Sequence, residues 1–155
     1  MWLKKIIFTL CLFLISFSLA YSNSVVEVNS NNLLSIIANS KGKVLIVNFW
    51  ASWCPYCKKE TKELTQLREQ YDRNKLEILG ISFDSSKHNF THFLKKYKIN
   101  YPCYLASDSR ISMMFNVYGI PATIVYDKDG RVAKQFPGYV EINELKKIID
   151  GLISK

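Results

Sequence analysis

The pentapeptide Trp53-Cys54-Pro55-Tyr56-Cys57 constrains this chain more than any other stretch. An apolar, β-prone run, Val44 to Trp50, precedes it, and a charged, helix-prone run, Lys58 to Leu64, follows. The pattern predicts a buried strand that leads into a helix with both cysteines on its first turn. Proline suits that turn, because its missing N–H is one that has no intrahelical partner. A sulfur at a helix N-terminus meets unpaired N–H groups and the positive end of the macrodipole, and both favour its thiolate. A second thiol three residues on can close a disulfide with the first. The result is a reversible two-electron switch.

The rest of the chain alternates between strand and helix patterns. Ser24 to Val28 reads as a short strand. Asn31 or Asn32 caps a helix carrying Leu33, Leu34, Ile36 and Ile37, and Lys41-Gly42-Lys43 turns into the strand Val44–Trp50. That strand is almost wholly apolar, as a central strand covered on both faces should be. The helix from Pro55 to about Tyr71 precedes a strand from Leu76 to Phe83, a helix from His88 to Tyr97 and a short strand from Tyr101 to Leu105. Ser107 or Asp108 caps a helix running to Gly119. Ala122–Tyr126 and Arg131–Phe136 flank Asp127-Lys128-Asp129-Gly130, a hairpin turn. Ile142, Leu145, Ile148, Ile149 and Leu152 recur at helical spacing. The order predicts an α/β domain whose mixed central sheet takes its antiparallel part from the hairpin.

The 155 residues suit one domain, residues 21–155, behind an export segment, residues 1–20. Lys4 and Lys5 form a basic start, Ile6 to Leu19 is mostly apolar, and Ser18-Leu19-Ala20 offers the small residues of a cleavage site. The apolar stretch is short for a spanning helix, which takes roughly 17–25 residues. Retention as an uncleaved anchor is the alternative. Cys11 reads as part of the apolar core of this segment, because the large Leu10 before it does not suit lipidation. Removing Lys4 and Lys5 lowers the formal charge from +8 to +6. A solvated basic exterior accounts for that excess; the alternative is a surface for anionic lipid headgroups or acidic partners. No block of Lys and Arg is interleaved with aromatics, which argues against nucleic-acid binding. Three cysteines remain, Cys54, Cys57 and Cys103. One tight pair and one left over indicate a working dithiol, not a framework of structural bridges.

Within the pair, Cys54 is expected to attack, at the helix start where solvent reaches it. Cys57, one turn in and better shielded, is expected to resolve the mixed disulfide. On a helical projection Cys57, Glu60, Leu64, Leu67 and Tyr71 share one face, and the leucines mark it as buried. Glu60 then points inward with a raised pKa and can move a proton to or from Cys57. The alternative has Glu60 reaching the surface beside Lys59 or Lys62. His88 and His92 stand at i, i+4 on a helix, a metal-binding spacing, but nothing near in sequence completes a site, so the pair is expected to face solvent. Cys103, in an apolar strand, reads as a buried small hydrophobe. Trp50 and Trp53 read as packing residues, Trp53 also shaping the surface a substrate meets. Pro121 stands at the first residue of a strand, an ordinary place for proline, and the residues alone predict a trans bond.

Val47 to Cys57, together with Gly119-Ile120-Pro121-Ala122-Thr123, resembles the thioredoxin superfamily, and more narrowly the TlpA/ResA group of exported, often membrane-anchored thiol-disulfide oxidoreductases. The resemblance spans roughly residues 25 to 153. It implies a thioredoxin fold with a helix–strand insertion, about Ser86–Leu105, between the cysteine pair and Pro121. It also implies that Pro121 is cis and faces the dithiol. Trp53, Pro55, Tyr56, Ile120 and Pro121 then meet the substrate, while Cys54, Cys57 and Glu60 perform the chemistry. Asn48 stands where thioredoxin itself has a buried Asp, a departure usual in this narrower group. The expected activity is reduction of protein disulfides, apocytochrome c among them, with a membrane electron donor, no cofactor and no metal, in the periplasm or its equivalent. Pro55-Tyr56 departs from the group toward glutaredoxins and oxidising exported relatives, so a disulfide-donating oxidase is one rival. A non-catalytic metal-binding or chaperone protein using Cys54, Cys57 and a histidine is the other.

Overall fold

A computed structural model describes residues 25–155; residues 1–20, expected from sequence to be an export segment, with Cys11, and Ser24 lie outside the described residues. The elements are β1 (Glu27–Val28), α1 (Ser30–Asn39), β2 (Val44–Trp50), α2 (Pro55–Glu69), β3 (Leu76–Ser82), α3 (Lys87–Lys96), β4 (Cys103–Ala106), α4 (Arg110–Met114), β5 (Ala122–Tyr126), β6 (Val132–Phe136) and α5 (Ile142–Ile153). The six strands form one sheet in the order β1-β4-β3-β2-β5-β6. β2 is parallel to β3, β3 to β4 and β4 to β1, whereas β5 is antiparallel to both β2 and β6. The expected mixed sheet, hairpin and helix–strand insertion are all present. Among the described residues no helix is long and apolar enough to cross a membrane.

The period-2 alternation of β2 sorts the two layers. Leu45, Val47 and Phe49 face α1 and α4 and pack with Leu33, Ile37, Ile111 and Phe115. Val44 and Ile46 face α2 and α5 and pack with Leu64, Leu67, Leu145 and Ile149. Trp50 continues the second face into a smaller cluster with Cys54, Cys57, Phe90 and Phe93. Every residue of β2 is buried, which explains a run that is apolar but for Asn48.

Several boundaries differ from the sequence expectation, each for a local reason. α1 starts at Ser30 because Asn29, not Asn31 or Asn32, is its cap, accepting from the Asn32 N–H at 2.9 Å. The fourth helix begins at Arg110 and ends at Met114, far short of Gly119, where Asn116 takes a positive φ of 52°. Asp108 accepts from the Arg110 N–H at 2.8 Å and from the Ser30 N–H at 3.0 Å, so it ties this helix to α1. Strand β4 starts at Cys103, not Tyr101, and β6 at Val132, because the Arg131 N–H is spent on the hairpin turn, on Asp127 Oδ1 at 2.9 Å.

Thr123, Asn48, Gly80 and Cys103 lie in register across four neighbouring strands. They form a transverse row of polar or small residues beneath α2. Gly80 is required there by space: a Cβ would lie 2.5 Å from Cys103 Sγ and 2.9 Å from Trp50 Nε1. Gly80→Ala should therefore destabilise the protein by about 1–3 kcal/mol. Urea denaturation should recover part of that loss in the Gly80→Ala/Cys103→Ala double variant.

Candidate redox site

Cys54 caps α2, and Pro55 takes the first helical position. The Cys57 N–H points at Cys54 Sγ, with 3.1 Å between nitrogen and sulfur. An orphan donor of the helix terminus is thus aimed at the sulfur that would carry thiolate charge. Cys54 and Cys57 form a disulfide, with Cα atoms 5.2 Å apart. Cys54 is 4% exposed and Cys57 1%. The expected order of access holds, but Cys54 is not the open sulfur that the sequence predicts. It packs with Trp50 and Cys57 and against Ile120 from the other side of the cleft. The Ile120–Pro121 bond is cis, as the resemblance implies and the residues alone do not. Cys54 Sγ lies 3.8 Å from the Ile120 carbonyl oxygen.

Exposed aromatics rim this buried disulfide. Trp53 and Tyr56 are each 66% exposed, and Tyr118 88%. Trp53, Phe83, Val117, Tyr118 and Ile120 line an apolar groove of about 320 Å³ beside Cys54. Tyr118, Val117 and Phe83 escape the sequence reading. Tyr118 sits two residues before Ile120, and that proximity was the one signal available.

Glu60 is 2% exposed, on the face shared with Cys57 and Leu64, as the projection predicts. Its carboxylate accepts from Thr123 Oγ1 at 3.1 Å and from Asn48 Nδ2 at 3.3 Å. Asn48 Nδ2 also donates to Thr123 Oγ1 at 2.9 Å. Burial pushes the carboxyl up to about 7, and the Thr123 and Asn48 bonds hold it back from rising further. Two buried groups beside it, the hydroxyls of Thr61 and Tyr101, make no hydrogen bond to a side chain or backbone. Tyr71, expected on the same face, is half-buried and donates to Asp150 at 2.8 Å.

Asp84 holds the approach to Cys54. It is buried and accepts from the Ser52 N–H at 3.1 Å, the Ser52 hydroxyl at 2.7 Å and the Ser82 hydroxyl at 2.8 Å. These bonds tie the turn before Cys54 to the end of β3. Arg68, also buried, donates to the carbonyls of Leu76 and Tyr71 and ties the end of α2 to the start of β3. The Asp84–Ser52 clamp is not written in the local sequence, since its partners stand 32 residues apart.

The remaining candidates stand apart. His88 and His92 are exposed on α3 with ring centres 6.3 Å apart. Among the described residues no group of three His, Cys, Asp or Glu side chains is gathered for a metal. Cys103 is a free cysteine whose thiol is pushed up by burial, in keeping with a packing role.

A model of the AhpC/TSA family matches residues 19–135. The chain is 28% identical over 115 residues to the thiol-disulfide oxidoreductase ResA of Bacillus cereus (strain ZK / E33L), covering 74% of this chain and 64% of that protein. It is 29% identical over 116 residues to ResA of Bacillus subtilis (strain 168), covering 75% and 64%. The matched part thus spans less than two thirds of these curated relatives. A thiol:disulfide interchange protein of the thioredoxin family from Chlorobium tepidum TLS superposes with a TM-score of 0.68 at 27% identity, over 75% of this chain and 83% of that one. A secreted Mycobacterium tuberculosis disulfide oxidoreductase homologous to E. coli DsbE gives 0.66 at 25%, over 74% and 86%. The fold is thioredoxin-like.

Two outcomes test this geometry. Because burial raises the Glu60 pKa, its protonated form belongs to the folded state, and the stability it contributes is lost as pH rises from about 4.5 to about 7. Urea denaturation of the oxidised protein should show a decline of roughly 3 kcal/mol across that window, largely absent in Glu60→Gln. Asp84→Ala should cost about 2–3 kcal/mol by the same measurement, since three donors lose a charged acceptor.

Proposed function

The chain belongs to the AhpC/TSA family, and on that premise we propose that it is a thiol-disulfide oxidoreductase that reduces protein disulfides through Cys54 and Cys57. The observation that carries the reading is a disulfide at a helix N-terminus whose first sulfur faces the Cys57 N–H, with the buried Glu60 on the same helix face.

In the reduced enzyme the Cys54 thiolate attacks one sulfur of the substrate disulfide. A Cys54–substrate bond forms, and the other substrate sulfur leaves as a thiolate that takes up a proton. Cys57 then gives its proton to the Glu60 carboxylate and attacks Cys54 Sγ. The Cys54–Cys57 bond closes, the mixed disulfide breaks, and the second substrate thiolate leaves and is protonated. Two electrons have passed from the dithiol to the substrate. A carboxyl with a pKa of about 7 is suited to both accepting and returning that proton near neutrality. Ile120, next to cis-Pro121 and near Cys54 Sγ, offers its carbonyl to extended substrate backbone, and Trp53, Pro55 and Tyr56 meet the substrate on the helix side.

The wider setting belongs to the same proposal. Residues 1–20 carry the chain across the cytoplasmic membrane and are cleaved or kept as an anchor. In an oxidising compartment a membrane electron donor restores the dithiol. Apocytochrome c is the substrate class that the resemblance favours.

Cys54→Ser should abolish insulin reduction, whereas Cys57→Ser should accumulate mixed disulfides visible on non-reducing gels. Full activity in Cys54→Ser overturns the proposal. Equilibration with glutathione fixes the direction: a potential near about −270 mV supports reduction, and one near about −120 mV supports the oxidase. Glu60→Gln should slow disulfide closure most above pH 7, where the wild-type carboxylate is ionised.

A further inference from the structure

The redox chemistry leaves unused a basic groove beside the disulfide. The groove, of about 270 Å³, is lined by Ser52, Lys58, Asn89, His92, Lys96 and Tyr97. The start of α2 forms one wall and the outer face of α3 the other. Residues 87–98 hold Lys87, Lys95, Lys96, Lys98, His88 and His92, and no acidic residue. Lys87 is paired with Glu27 at 2.7 Å. Among the described residues, neither Lys58 nor Lys96 has a carboxylate within ion-pair distance. The acid nearest in the turn, Asp84, is turned inward onto Ser52 and Ser82.

Lys62 Nζ lies 5.6 Å and Lys96 Nζ 5.9 Å from the centre of the Tyr97 ring, so one ring gathers two ammonium groups. That ring packs on Phe93 at 4.4 Å, and Phe93 on Trp50 at 4.4 Å, which joins the groove to the cluster around the disulfide. Gathering like charges without a counter-ion is unfavourable, and an anion in the groove relieves it. The other side of the helix start is different: there Lys59 pairs with Glu141 at 3.7 Å, and Tyr139 donates to Glu63 at 2.9 Å. Charge around the disulfide is therefore one-sided.

The groove also borders the cysteine-bearing turn: Ser52, in its lining, stands two residues before Cys54, and Lys58, also in its lining, directly follows Cys57. We propose that this groove is the docking surface for an acidic polypeptide segment of the redox partner, which turns the partner's disulfide or dithiol toward Cys54. The proposal rests on the reading of Cys54–Cys57 as the place where a protein partner docks. An acidic protein fits better than an anionic membrane, because a bilayer lying on Lys58 and Lys96 would cover the approach to the disulfide.

The test uses two fluorescein-labelled, cysteine-free peptides, alike except for a run of Glu or of Lys, titrated with the oxidised protein and read by anisotropy. The Glu peptide should bind at least about tenfold more tightly, and the preference should collapse in about 0.5 M NaCl. Lys58→Glu/Lys96→Glu should reverse it, while Lys41→Glu/Lys155→Glu, outside the groove, should leave it in place. Equal binding of the two peptides, or equal loss in both double variants, overturns the proposal. So does binding to vesicles of phosphatidylglycerol and phosphatidylcholine that depends on Lys58 and Lys96 and that the Glu peptide does not displace. Insulin turnover is measured separately: its absence counts against the oxidoreductase reading, while the peptide titration still decides the groove.

Discussion

The Asn48 side chain joins the parts of the molecule that have to stay together. It donates to Glu60 on the cysteine-bearing helix and to Thr123 on the strand that follows Pro121, and Thr123 donates to Glu60 in turn. Strand β2 and the helix that follows it are thereby locked to β5, far along the chain, in a closed polar triangle. An unpaired carboxyl buried there would be costly. With two donors supplied, Glu60 is tolerated, yet burial still outweighs the bonds and leaves its proton exchangeable near neutral pH.

The disulfide is built from two opposed demands. Its first sulfur has to meet helix N–H groups, which the strand–Pro–helix pattern supplies locally. It also has to face Ile120 and cis-Pro121, which only closure of β5 against β2 can bring there. Asp84 reconciles them by anchoring the intervening turn to the end of β3 through Ser52. The same closure buries both sulfurs and leaves recognition to the exposed rim. That rim is apolar around Trp53 and Tyr118, and basic around Lys58 and Lys96.

Much of this could be read along the chain. The nearly continuous apolar run of β2, the cysteine spacing, the hairpin at Asp127–Gly130 and the period of α5 each express a local rule that packing left intact. Glu60 was legible for the same reason: a helical projection needs only its own helix. Helix starts were less so, because Asn29, Asn31 and Asn32 are equally good caps until packing chooses one. Asp84 was not legible, since its partner Ser52 lies 32 residues away and is set by which loops the sheet brings together; Arg68 was not, since no local pattern says a charged side chain turns in to the Leu76 carbonyl.

The order of residues along the chain settles the list of local elements and the dithiol that one of them must carry. Those depend on side-chain periodicity, on proline and on the spacing of two sulfurs, all short-range quantities. Tertiary packing sets the company that dithiol keeps: the cis bond opposite it, the Thr123 and Asn48 partners of the carboxyl beneath it, the Asp84 clamp before it and the α3 cations across the groove. Each of these is a contact between residues separated along the chain, and the sheet order β1-β4-β3-β2-β5-β6, which no local pattern contains, is what sets them next to one another.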